Sequence, residues 1–215
     1  MIEEGRVSVN GRTARVGMEI GEGDIVLADG RAAAPVRQEV FLAVNKPRGV
    51  VVTTDRSHGD RLLEDLVADC GTRVFAVGRL DKDSEGLILM TNNGEASNRI
   101  QKARERHEKE YLVTVDRPVT EEFLRKMGSG VHLEELDRTT RPCSVKKTGQ
   151  DSFDIILTEG MNRQIRRMCA ALGYEVLRLR RIRVMNIRLG SLRSGAYRSL
   201  TPEEVQQLKQ KCGMI

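Results

Sequence analysis

Three carboxylates, Asp81, Asp83 and Glu85, stand within five residues in the stretch Gly78-Arg79-Leu80-Asp81-Lys82-Asp83-Ser84-Glu85-Gly86-Leu87. Acidic side chains at alternate positions followed by a glycine match the opening of a calcium loop, where such oxygens converge on the ion. The match stops there. The twelfth position, where a bidentate glutamate belongs, is Asn92, and Leu87-Ile88-Leu89-Met90 reads as a buried strand rather than a ligand-bearing loop. Two other readings stand side by side. The carboxylates can cap backbone amides in a turn, a frequent task of Asp and Ser. Alternatively Asp81, close behind Arg79 and shortly before a glycine that lets the chain bend into a core strand, is held at the mouth of a sheet as a nucleophile.

Such a carboxylate needs elements that hold it and a partner that approaches it. The chain carries 36 basic and 31 acidic residues, so a net charge of +5 is modest and its distribution matters more than its total. Between Met161 and Arg198 there are ten arginines and one carboxylate, Glu175. Any one of them can be a solvated surface charge. Ten like charges with a single opposing group repel one another unless an anion neutralises them, which points to RNA or DNA. A helix beginning near Asn162 places Ile165, Met168, Cys169 and Leu172 on a buried stripe and Arg163, Arg166 and Arg167 within an arc of about 100° on the other face. Leu177, Leu179, Ile182 and Val184 then alternate with Arg178, Arg180, Arg181 and Arg183. That is a strand with a one-residue slip at Arg180 to Arg181, which predicts a bulge and a second basic surface.

The rest of the chain supplies scaffold. Residues 1–35 read as a small unit in which Val7 to Arg12 is a strand ending in an Asn-Gly hairpin turn and Gly23 to Gly30 holds a second strand. The Ala-rich stretch Arg31 to Gln38 marks a linker, placed at residues 36–40. Residues 41–215 mix strands and helices without regular βα alternation, which favours an α+β domain. Asp60 to Asp69 carries Leu62, Leu63, Leu66 and Val67 on one helical face, stopped by Gly71. Thr201-Pro202-Glu203-Glu204 opens a last helix that ends before Gly213. Cys70, Cys143, Cys169 and Cys212 are too dispersed for a metal knuckle, and His58, His107 and His132 lack partner spacing, so no metal is expected. With no leader-like start and no run of roughly twenty apolar residues, the chain reads as a soluble cytoplasmic protein with free buried thiols.

Several segments come in an order that resembles the RsuA-type family of ribosomal RNA pseudouridine synthases: Asn45-Lys46-Pro47-Arg48-Gly49, Val77-Gly78-Arg79-Leu80-Asp81 through Leu87, Thr91-Asn92-Asn93-Gly94, His107-Glu108-Lys109-Glu110-Tyr111, and Glu159-Gly160-Met161-Asn162-Arg163-Gln164-Ile165-Arg166-Arg167-Met168. The resemblance runs from Phe41 to the C-terminus. By Glu108 to Thr120 and Arg181 to Asn186 it is most similar to the F-type synthases of the large subunit, which act on 23S rRNA. It implies a curved, mixed and mainly antiparallel sheet with flanking helices and a cleft across it. It also implies catalytic roles for Asp81, for Tyr111 lying against the target base, and for Arg166 pairing with the catalytic carboxylate. RNA contacts fall to Arg79, Leu80 and Lys82 beside Asp81, and to Asn162, Arg163, Gln164 and Arg167 at the basic helix. No cofactor is implied, because the isomerisation breaks the N1–C1′ bond of uridine, turns the uracil and rejoins it through C5. Asp81 can attack C1′ or remove the C2′ proton, and both routes stay open. The implied partner is ribosomal RNA, its target base flipped out of the stack, with no membrane and a monomeric protein. Ile2 to Gly11 resembles the second half of an S4 RNA-binding domain. The two helices of the first half are missing, so the module is truncated or reduced.

A ribosome-binding protein without turnover would keep the basic surface and dispense with Asp81. An RRM-like module would need aromatics interleaved with the basic strand, and seven aromatics with no Trp do not supply them.

Overall fold

The computed structural model describes residues 1–21, 23–33, 39–57, 59–101 and 107–215, in two compact units, Met1–Glu39 and Val40–Ile215. His58 and residues 36–38 of the expected linker lie outside the described residues. In the first unit, β1 (Val7–Val9), β2 (Arg12–Thr13), β3 (Val26–Ala28) and β4 (Arg31–Ala32) form a sheet ordered β2-β1-β3-β4. Asn10 and Gly11 both take positive φ, 50° and 78°, as the tight turn from β1 to β2 requires, and Asp29 and Gly30 repeat the device between β3 and β4. Arg6 donates to both carboxylate oxygens of Asp29 across this sheet.

The second unit contains β5 (Phe41–Lys46), β6 (Phe75–Val77), β7 (Glu85–Thr91), β8 (Lys109–Val115), a short β9 and β10 hairpin (His132–Leu133, Arg138–Thr139), β11 (Ser144–Lys147), β12 (Ser152–Leu157), β13 (Val176–Val184), β14 (Ile187–Arg188) and β15 (Tyr197–Ser199). Its helices are α1 (Gly94–Gln101), α2 (Glu121–Ser129), α3 (Gln164–Ala171) and α4 (Pro202–Lys211). Nine strands make one sheet, ordered β11-β12-β8-β13-β7-β5-β15, with β14 against β13 and β6 against β7. Only β13 with β7 runs parallel in it, so the sheet is mixed and mainly antiparallel. The unbroken apolar run Leu87 to Met90 is explained by burial on both faces. Leu87 and Leu89 join Ala43 under α1 and α4, while Ile88 and Met90 join Leu42 and Val44 against Leu63, Leu66 and Val67. A third cluster packs α2 and α3 on β8 and β12 through Phe123, Met127, Ile165, Met168, Phe153 and Ile155.

The structure departs from expectation in three elements. Leu62, Leu63, Leu66 and Val67 are buried as their spacing demands, yet the helix is only a 3-10 turn over Leu63–Val67. Leu62 is extended because it bridges Val51, and that pairing takes up the first half of the proposed helix. In α3, Arg163 is a cap in left-handed conformation (φ 52°), and Leu172 follows the helix half-buried. Strand β13 has two register shifts, between Val176 and Arg178 and between Arg181 and Arg183, in place of one slip at Arg180 to Arg181. The first shift leaves Leu177 49% exposed, and because the second comes only after Arg181, that residue keeps the inward face of Leu179 and is 4% exposed. As expected, Thr201 caps α4 in a box with Glu204 and Pro202 opens the helix. All four cysteines are free, but only Cys169 and Cys212 are buried; Cys70 and Cys143 are half-buried.

Candidate active site

The loop between β6 and β7 carries the acidic residues, and two glycines shape it. Gly78 turns the chain out of β6 at φ 78°. Gly86 starts the core strand at φ 107°, where a Cβ would lie 2.2 Å from the Arg181 carbonyl oxygen, so the parallel contact of β7 with β13 requires a bare backbone there. From the other side, the Gly49 N–H donates to the Lys82 carbonyl at 2.7 Å and ties the loop to the turn after β5. Beneath that turn lies Lys46, fully buried, whose ammonium donates to the carbonyls of Pro47 and Val50. Burial pulls this ammonium down to about 8 against the opposing pull of Asp83 and Asp81.

The three carboxylates diverge. Asp83 binds Arg163 at 3.0 Å and Arg166 at 3.2 Å, and Glu85 binds Arg178 at 2.6 Å. Burial works to raise the Asp83 carboxyl, but the hydrogen bond from Arg163 and the charges of Arg166 and Arg163 prevail and hold it below the ordinary carboxylate range. Asp81 lies 3.8 Å from Arg163. Of the three, Asp81 alone lines a cleft of about 490 Å³, large enough for a nucleoside. Facing it are Lys109 and Tyr111 of β8, Leu179, Arg181 and Val184 of β13, and the turn Glu159 to Gln164. Lys109 and Tyr111, two residues apart on a strand, share a face, and Tyr111 stands opposite Arg181 in register. The turn is braced from inside: Gln164 donates to Glu159 at 2.8 Å and accepts from the Met161 N–H, and Glu159 also accepts from the Arg141 N–H.

The cleft therefore gathers Asp81, Tyr111, Arg79, Leu80, Asn162, Arg163 and Gln164. Gln164 is 4% exposed with its amide engaged, and Leu80 is buried in a core cluster, so both shape the wall more than they offer free groups. The remaining expected residues lie outside the cleft lining. Arg166, 14% exposed at its side chain, donates to the carbonyls of Val176 and Asp83 and pairs with the Asp83 carboxylate, while the guanidinium on Asp81 is that of Arg163. Lys82 pairs with Asp60, and Arg167 pairs with Glu135 and donates to the Asn162 carbonyl.

The basic surface is also smaller than the sequence count implied. Arg163, Arg166, Arg167, Arg178, Arg183 and Arg198 are ion-paired with Asp81, Asp83, Glu135, Glu85, Glu108, Glu110 and Glu204. Those acids come from distant segments, which a count along one stretch cannot see. Three cations that the sequence did not assign to the site lie at it or beneath it: Lys46, Lys109 and Arg181. Lys109 was legible as the strand neighbour of Tyr111 on the same face; Arg181 faces inward in regular alternation with Leu179, because the second shift comes after it, at Ile182.

Residues 40–171 match the family model described as RNA pseudouridylate synthase. The chain is 46% identical over 209 residues to the dual-specificity RNA pseudouridine synthase RluF of Escherichia coli (strain K12), covering 96% of this chain and 71% of that protein. It is 34% identical over 217 residues to the ribosomal large subunit pseudouridine synthase B of Bacillus subtilis (strain 168), covering 97% and 87%. A crystal structure of a pseudouridylate synthase superposes with a TM-score of 0.76 at 28% identity, over 96% of this chain and 90% of that one.

Proposed function

Because the chain belongs to the RNA pseudouridine synthase family and is such an enzyme, we propose that Asp81 is its catalytic carboxylate and that its substrate is a uridine of ribosomal RNA, in the 23S molecule. The observation that carries this reading is that Asp81, of the three acids in its loop, is the one that lines the cleft, opposite Tyr111. The isomerisation needs a carboxylate beside C1′ and C2′ of the ribose and a wall that holds the uracil as it turns. Asp81 supplies the first, by attack on C1′ or by removing the C2′ proton. Tyr111, half-buried and fixed between core residues, supplies part of the second. Arg163 orients Asp81, and Arg166 acts one step removed by holding Asp83. The target base reaches the cleft by leaving its stack, with Arg79 at the rim.

The substrate assignment is supported by relatives named for ribosomal and dual-specificity RNA substrates. The Met1–Glu39 unit, in which Ile2 to Gly11 resembles the second half of an S4 module, serves as an RNA-contacting appendage, and the enzyme works as a cytoplasmic monomer. No helix among the described residues is long and apolar enough to cross a membrane. Mapping pseudouridine in ribosomal RNA from cells lacking the gene, then complemented with the parent or Asp81→Asn, tests the reading. A site lost on deletion is expected to return with the parent only. Its return with Asp81→Asn, or no lost site in 23S rRNA, contradicts it.

A further inference from the structure

Two cations sit at the cleft wall, neither of them ion-paired among the described residues. Lys109 makes one long hydrogen bond, 3.4 Å to the His107 carbonyl, and Arg181 uses Nε for the Leu87 carbonyl at 2.7 Å. Neither forms an ion pair among the described residues, although Glu108 and Glu110 flank Lys109 in sequence; both of those turn to Arg183. The positions are built. Arg181 is 4% exposed, on the inward face of β13 with Leu179, and Lys109 shares the face of Tyr111, which stands across from Arg181. Burial, and then the charge of Arg181, hold the Lys109 ammonium below the ordinary lysine range. Two like charges kept together in a partly dry wall are costly unless an anion comes between them or beside them.

The reaction makes such an anion. On either route the electron pair of the N1–C1′ bond leaves with the uracil. Asp81 forms a bond to C1′ as N1 departs, or takes the C2′ proton while a C1′–C2′ double bond forms. The detached base is then a uracilate, its charge spread over N1, O2 and O4. Rejoining forms the C5–C1′ bond with release or reprotonation of the sugar intermediate; the C5 proton is lost and N1 gains one, so the uracil ends neutral. We infer that Lys109 and Arg181 form a cationic wall that stabilises this detached uracilate while it turns beside Tyr111. This rests on the assignment of the reaction to the Asp81 cleft. Charge that develops only as the bond breaks is stabilised most by groups already in place, and loss of one such donor typically slows an enzyme by about 10²–10³-fold.

The experiment is single-turnover pseudouridine formation, read by tritium release from uracil C5 in an unmodified 23S rRNA transcript, with RNA affinity measured in parallel for the parent, Lys109→Met, Lys109→Arg and Asp81→Asn. Expected is a fall of about 100-fold in rate at saturating RNA for Lys109→Met, affinity within about threefold of the parent, and recovery of most of the rate in Lys109→Arg. A Lys109→Met enzyme with parental rate and weakened affinity would mean that the wall grips an RNA phosphate, and equal losses in both lysine variants would mean a structural role; either overturns the inference. An active Asp81→Asn enzyme is a separate failure, that of the cleft assignment itself.

Discussion

Gly86 separates the acidic loop from the core, and its missing side chain decides how closely β7 and β13 can run. Gly86→Ala would set a Cβ 2.2 Å from the Arg181 carbonyl at a φ of 107° that L side chains resist. A loss of more than about 2 kcal/mol is expected in denaturant unfolding, together with reduced turnover as the Asp81 loop shifts. Lys46 gives a residue-level test with a sign. The unfolded chain keeps that proton to about its ordinary value of 10.5, whereas the folded protein releases it from about 8. Between these values the unfolded state holds more protons, so the contribution of Lys46 to stability rises with pH. Relative to Lys46→Met, the parent should gain up to about 3 kcal/mol across that window in unfolding titrations. Parallel pH dependence of the two proteins would contradict the account.

At the scale of elements, the sequence was most legible where one local rule acted alone. The Asn10-Gly11 turn and the box that opens α4 formed as spacing and residue type required. Thr201→Ala should therefore cost about 1 kcal/mol of stability, seen as a lower melting temperature, and leave the single-turnover rate unchanged. Elements under tertiary control were read less well. Leu62 was taken from a helix by Val51, and in β13 the first shift leaves Leu177 outward while the second comes only after Arg181, which stays inward in phase with Leu179. No periodicity in the strand marks where its partner slips. The site divides along the same line. Asp81 and Tyr111, expected at one site from the family resemblance, do line one cleft. The resemblance implied Arg166 as the partner of the catalytic carboxylate, whereas Arg163, one helical turn away, lies 3.8 Å from Asp81 and Arg166 pairs with Asp83.

For the whole molecule, charge is where sequence and structure differ most. Ten arginines in one stretch suggested a continuous phosphate-binding face, but six are neutralised by acids from elsewhere in the chain, leaving Arg180, Arg181, Arg188 and Arg193 outside any ion pair among the described residues. Ten phosphate contacts would give a slope of log affinity on log salt of about −7 to −9, whereas the roughly three left once the buried Arg181 is set aside give about −2 to −3. Titration of RNA binding against salt should return the shallower slope, and the steeper one would mean that RNA displaces the internal acids. The central claim is narrower. A carboxylate at the cleft performs the isomerisation, and the binding surface lies around it. It is tested most directly by single-turnover pseudouridine formation with purified Asp81→Asn and a 23S rRNA transcript at saturating concentration. The account predicts parental RNA affinity with a rate reduced by at least about 10³-fold; pseudouridine formed at the parental rate would contradict it.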